Sequence, residues 1–217
     1  MNFTDAKHHL IDTILLGDQV GAMLLLDSLA ARFQYRKTIT EVLEPALEEI
    51  GNRWAAEQIS LAAGYLAGKI AEDTLIKALA CQEIVPGNKG PIVLGNVEDD
   101  YHSLGRKMVG IFLQTAGWKV IDLGNDVMAE DFVDAALQHD APLIGASAMM
   151  FTTAMNIKKI RQELDTRGLT GRIRLAVGGA VFKIRPELVA EIGGDGTAEI
   201  AVEAPRLMEQ LLQTVTG

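Results

Sequence analysis

The sequence predicts an all-helical domain followed by an α/β domain built on a doubly wound parallel sheet. Three observations predict it. Residues 1–84 carry only the three-to-four-residue apolar spacing of amphipathic helices. From residue 91 onward, short apolar runs alternate with helical segments, the pattern of a parallel sheet with right-handed crossovers. Between the two lies Val85-Pro86-Gly87-Asn88-Lys89-Gly90, a run of turn formers. The expected organisation is a helical bundle at 1–84, a linker at 85–90 and an α/β domain at 91–217.

In the first half, Thr4 or Asp5 can cap a helix whose Leu10, Ile11, Ile14 and Leu15 share a face, and Gly17-Asp18 breaks it. A second helix covers 19–33, a third 38–57 and a fourth 60–82, joined by connections short enough for a bundle. Pro45 predicts a kink or a split in the third. Cys81, in the helical pattern "LIKALACQE", reads as a small core residue. In the second half, strands are expected at 91–97, 118–123, 142–148 and 172–178, with a short one through Gly193–Asp195. Helices are expected at 103–116, 129–139, 153–167, 185–192 and 198–213. A ligand should then sit off the carboxyl ends of the strands.

Composition narrows the function classes. Twenty basic against 29 acidic residues give a net charge of -9, which argues against a nucleic-acid binder. A single cysteine excludes an intramolecular disulfide and a multi-thiolate metal centre. The opening "MNFTDAKHHL" has no basic stretch followed by an apolar core, and no apolar run approaches the roughly 20 residues of a spanning helix. The expectation is a soluble cytoplasmic protein that engages neither membrane nor nucleic acid.

Four loops converge on the carboxyl edge of the expected sheet: Asp100-Tyr101-His102-Ser103-Leu104-Gly105, Gly124-Asn125-Asp126, "SAMMFTT" at 147–153, and Gly178-Gly179. Asp100 and His102 are one residue apart, so in an extended loop they project to the same side. The carboxylate can accept from one ring nitrogen and leave the other as an acceptor, which is how proteins orient a histidine metal ligand. A surface or helix-capping histidine has the same spacing, and spacing alone does not separate the two. No second histidine or cysteine stands nearby to complete a protein-only site. His8, His9 and His139 read as solvated helical residues. A metal with one protein ligand takes the rest of its coordination from elsewhere, as from a macrocycle.

The spacing Asp100-x-His102-x-x-Gly105, then Ser147-x-Met149, then Gly178-Gly179 resembles the signature D-x-H-x-x-G, S-x-L, G-G of base-off, His-on cobalamin-binding domains. "VIDLGNDVMAEDFVDAA" and "IGGDGTAEIAVEA" resemble the intervening segments of that family. With the helical half in front, the likeness covers essentially the whole chain and is greatest to the two-domain corrinoid proteins of methyltransferase systems. In these, a helical cap precedes a Rossmann-like, flavodoxin-like module.

The resemblance implies a cobalamin cofactor and roles for its residues. His102 is implied as the axial ligand of cobalt, Asp100 as its hydrogen-bond partner and Thr153 as the hydroxyl extending that relay. Ser147 is implied to contact the displaced nucleotide tail, with Gly105, Gly178 and Gly179 leaving room for it. The helical cap is implied to cover the upper face through Trp54, with Met23 and Leu24 to Leu26 as apolar neighbours. The implied partners are methyltransferases on the donor and acceptor sides, together with a reductive activase. The chain itself is implied to be a non-catalytic carrier, and "VPGNKG" is the expected hinge.

The sequence departs from the pattern at several points. Met149 stands for the usual Leu, and "DDYHSLG" replaces the common "GDVHDIG". Photoreceptor relatives carry Glu-His where Gly64 and Tyr65 stand here, which argues against a light sensor. Met149, Met150 and Met155 read as core packing rather than thioether ligands. The alternative function is a cobalamin-dependent sensor, for which no basic recognition helix is evident. A phosphoacceptor receiver lacks its Lys after the last strand, where Gly196-Thr197 stands, and a mutase lacks its substrate barrel.

Overall fold

The computed structural model describes residues 2–81 and 89–215, apart from the side chains of Ala55, Leu79 and Leu104. They fall into two compact units on either side of 82–88. The expected hinge lies outside the described residues except for Lys89 and Gly90, which open the first strand instead.

The helical unit contains α1 (Phe3–Leu15), α2 (Gln19–Phe33), α3 (Tyr35–Thr38), α4 (Glu44–Ala55) and α5 (Leu61–Ala80). The cap of α1 is Asn2, which accepts from the Asp5 N–H at 2.8 Å, so the helix starts earlier than Thr4 or Asp5 would place it. Leu10, Ile11 and Ile14 are buried, while Leu15 is more than a third exposed. Asp18 caps α2 by accepting from the Gly21 N–H at 2.8 Å.

The expected third helix is split as Pro45 predicts. A π turn at Ile39–Leu43 separates α3 from α4, and the Glu44 N–H bonds the Ile39 carbonyl five residues back. The wider turn absorbs the donor that proline lacks and the clash its ring would make with the preceding turn. Cys81 is exposed, one residue beyond the end of α5 and off its packed face, not in the core.

The second unit holds β1 (Lys89–Asn96), α6 (Ser103–Thr115), β2 (Trp118–Asp122), α7 (Ala129–Gln138), β3 (Leu143–Ser147), α8 (Phe151–Thr166) and β4 (Arg174–Gly178). Two short helices, α9 (Ala180–Ile184) and α10 (Leu188–Glu191), lead to β5 (Gly196–Thr197), a 3-10 turn and α11 (Ala204–Leu212). The last strand lies just beyond the expected Gly193–Asp195; the Asp195 carboxylate accepts from the Leu175 N–H and Arg161 beside it.

All pairings are parallel in the order β2-β1-β3-β4-β5, the flavodoxin-like winding. Alternate residues of β1 serve opposite faces. Val93 joins a core with Phe132, Ile144, Ile157 and Val177, whereas Ile92 and Leu94 join one with Leu113, Trp118 and Met208. Each face is sealed by helices, so the strands read as apolar runs. The winding reverses between β1 and β3, where Asn96 pairs with Ser147 and Ser147 with Gly178. Among the described residues no helix is long and apolar enough to cross a membrane.

Candidate functional site

At this reversal point the polypeptide leaves β1 in a tight turn. The Asp100 N–H bonds the Val97 carbonyl at 2.9 Å, and Asp99 sits at φ 66° with its N–H on Asp126 Oδ1 at 2.8 Å. The turn puts Asp100 beneath the start of α6 with none of its surface exposed. Its Oδ1 accepts from Asn96 Nδ2 at 2.9 Å and the His102 N–H at 2.9 Å, and lies 3.3 Å from His102 Nδ1. Its Oδ2 accepts from the Met149 N–H at 2.7 Å and the Thr153 hydroxyl at 2.9 Å. Burial acts to push this carboxyl up. The bonds from the Met149 and His102 N–H groups, the Thr153 hydroxyl and the Asn96 amide outweigh it and hold the pKa below the ordinary value.

A carboxylate only accepts, so a neutral ring that bonds Asp100 does so through Nδ1–H and leaves its lone pair on Nε2. His102 stands at the N-cap position of α6 without a side-chain capping bond, and its imidazole is about half exposed, at 47%. Among the described residues no hydrogen-bond partner meets Nε2. That nitrogen is an oriented, open donor to a metal. Among the described residues no cluster of three or more acidic, histidine or cysteine side chains could hold an ion alone. Any metal here has to bring most of its own coordination.

The structure brings Asp100, His102 and Thr153 together as expected. Thr153 is the third residue of α8, which starts two residues earlier than expected and so aims the buried hydroxyl back at Asp100. Ser147 ends β3 beside Asn96, with its carbonyl accepting from the Val97 N–H at 3.1 Å. A β-carbon at Gly105 or at Gly178 would meet nothing within 4 Å, so there is open space beside both. Gly179 differs: its β-carbon would run into the Ala148 main chain, and its φ is +127°, so close chain packing accounts for this glycine.

Met149 and Met150 are about half exposed, at 47% each, and Tyr101, Met128, Phe151 and Ile184 are exposed as well. The core-packing expectation holds for Met155 alone of the three. Their main chains must reach Asp100 and cap α8, which turns their side chains outward. Tyr101 donates to Asp126 Oδ2 at 2.6 Å, lowering that carboxyl and raising its own pKa. The loop after β2 is thereby tied to the histidine loop.

In the helical unit, Trp54 is partly buried with its ring 3.7 Å from where a β-carbon on Gly64 would stand. Leu24 is exposed, but Leu25 and Leu26 are bundle core. An open depression of about 460 Å³ lined by Leu15, Arg53, Gln58, Ile59, Ser60 and Ala63 holds none of the expected site residues.

Two residues of the site escaped the sequence reading. Arg106 on α6 is 5% exposed; it donates through Nε to Asn96 Oδ1 at 2.7 Å, through Nη1 to Asp122 and through Nη2 to Asn125 Oδ1 at 3.2 Å. Asn96 thus joins Arg106 to Asp100. A cation in the opening turns of a helix works against the helix dipole, and an amide inside an apolar strand lacks water. Both were signals of a buried polar link.

Comparison with known proteins yields consistent matches. A family profile described as a B12 binding domain matches residues 90–206, and a second of the same description matches residues 6–77. A corrinoid protein of Desulfitobacterium hafniense is 34% identical over 81% of this chain and 82% of its own. The dimethylamine corrinoid protein of Methanosarcina barkeri is 29% identical over 98% of this chain and 100% of its own. The solved monomethylamine corrinoid protein of the same organism superposes with a TM-score of 0.63 at 26% identity, covering 97% of this chain and 100% of that one.

Proposed function

The chain belongs to the B12-binding domain family, its cofactor is cobalamin, and on that premise we propose that it is a corrinoid methyl carrier. In this reading a substrate-specific methyltransferase loads the bound cofactor and an acceptor methyltransferase unloads it. The chain itself performs no catalysis. The names of its relatives as dimethylamine and trimethylamine corrinoid proteins support the carrier role. The observation that carries the axial assignment is the open Nε2 of His102, whose Nδ1 faces a buried carboxylate that accepts from four donors.

The donor set fits the cofactor. A single imidazole would suit a cobalt whose other coordination the corrin supplies, and the space beside Gly105 and Gly178 would suit a displaced nucleotide tail. When bound, cobalamin supplies a cobalt that accepts and releases a methyl group. The protein's share is orientation. Asp100 holds the ring and keeps its proton on Nδ1, Thr153 steadies the far carboxylate oxygen, and Ser147 is offered to the tail. Met149 lends its main-chain N–H to Asp100. Trp54 keeps the upper-face role that the resemblance gives it, and "VPGNKG" that of hinge. A reductive activase completes the set of partners, and the cytoplasmic placement stands with this reading.

The test adds hydroxocobalamin to the purified protein, reduces it to cobalt(II) and records its spin-resonance spectrum. We expect a base-off signal coupled to a single protein nitrogen, abolished in His102→Ala. Coupling that survives the substitution removes His102 from the axial position.

A further inference from the structure

We propose that Asn96 and Arg106 are positioning residues that fix the proton of His102 on Nδ1, the nitrogen facing Asp100. The inference rests on the carrier reading only for its consequence, because the geometry stands without a cofactor. A side-chain amide can present either its oxygen or its NH2 to a neighbour, and its orientation follows from what surrounds it. Arg106 Nε can only donate, and it lies 2.7 Å from Asn96 Oδ1. The NH2 group must therefore face the other way, where it reaches Asp100 Oδ1 at 2.9 Å and the His102 carbonyl at 3.2 Å. A turned amide would set its oxygen against both of these acceptors and its NH2 against the guanidinium.

Arg106 cannot easily yield. It is buried, and its two other nitrogens are engaged by Asp122 at the end of β2 and Asn125 in the loop that follows. The oriented amide does two things for His102. It pins the main-chain carbonyl of the residue itself, and it fixes the Asp100 oxygen that faces Nδ1. Two donors meet at that oxygen, the amide and the His102 N–H, and the ring nitrogen Nδ1 lies 3.3 Å from it. The ring proton is thereby held on Nδ1, which keeps the Nε2 lone pair free.

Histidine-labelled apoprotein provides the test, since long-range proton–nitrogen spectra at a pH where the ring is neutral distinguish the two tautomers. His102→Ala assigns the signal. In the wild type we expect the Nδ1–H tautomer to dominate. In Arg106→Lys, which keeps the charge beside Asp122 but lacks the fork, and in Asn96→Leu, the Nε2–H form should rise at least about threefold. Cobalamin affinity should fall on the order of 10-fold, the usual loss when a ligand's supporting partner is removed. A wild-type ring already mixed, or variants that keep the wild-type tautomer, overturns the proposal. If one variant does not fold, the other decides, and loss of folding in both overturns positioning in favour of a purely structural role. The tautomer is read without cofactor, so a failed axial assignment in the spin-resonance experiment stays a separate result.

Discussion

In the helical unit the buried polar side chains among the described residues are Thr13, Thr38 and Thr74. Each donates its hydroxyl to the carbonyl four residues back, His9, Gln34 and Ile70, at 2.6, 2.9 and 2.7 Å, and Thr74 also lies 3.9 Å from Met23 Sδ on α2. In the α/β unit they are Asn96, Asp100, Arg106 and Thr153, drawn from β1, the loop after it, α6 and α8. All four belong to one network around a single imidazole. The same kind of atom is settled locally in the first unit and linked across elements in the second. Hydroxyls that return to their own helix make the bundle no more specific than its apolar packing. A carboxylate that four other residues need holds several loops in one geometry, and losing it is costly.

The largest break in this contrast should come from Asp100→Leu. It leaves the Met149 and His102 N–H groups, the Asn96 amide and the Thr153 hydroxyl without their acceptor, and about 3–5 kcal/mol of stability should vanish in denaturant unfolding. A smaller and more specific effect is expected from acid. Because the folded Asp100 pKa is depressed, its contribution is fully present above the unfolded value of roughly 3.9 and is lost as pH falls through the folded value. The stability difference between wild type and Asp100→Asn should stay constant above roughly pH 5 and shrink below roughly pH 4. A gap that persists in acid would mean the carboxylate charge does not matter. The smallest effect should come from Thr74→Val in the bundle, within about 1 kcal/mol, since the Ile70 carbonyl keeps its helical bond. A loss as large as that for Asp100→Leu would erase the contrast.

Much of this architecture was legible in the sequence. Strand and helix spacings placed β1, β2, β3 and β4 to within about two residues, because apolar runs sealed on both faces leave little choice of register. The motif brought Asp100, His102 and Thr153 to one place because all three follow the carboxyl ends of β1 and β3, neighbours in the sheet. Burial of charge was not legible. The position of Arg106 in the opening turns of a helix hinted at a partner, but only the folded chain shows that Asp122 at the end of β2 and Asn125 beyond it enclose the guanidinium. Exposure failed in the other direction at Met149, Met150 and Cys81, where helix ends and main-chain bonding overrule side-chain preference. The two-residue β5 was misplaced for a related reason. A Gly-rich edge carries too little apolar pattern to fix where pairing starts.

The carbonyl oxygen of Ala148 occupies the place where residue 179 would need a methyl group. A descendant that abandoned its vitamin would still have to keep glycine there to hold its backbone together. Drift after such a loss should surface first at positions 105 and 178, where an alanine would meet only empty space.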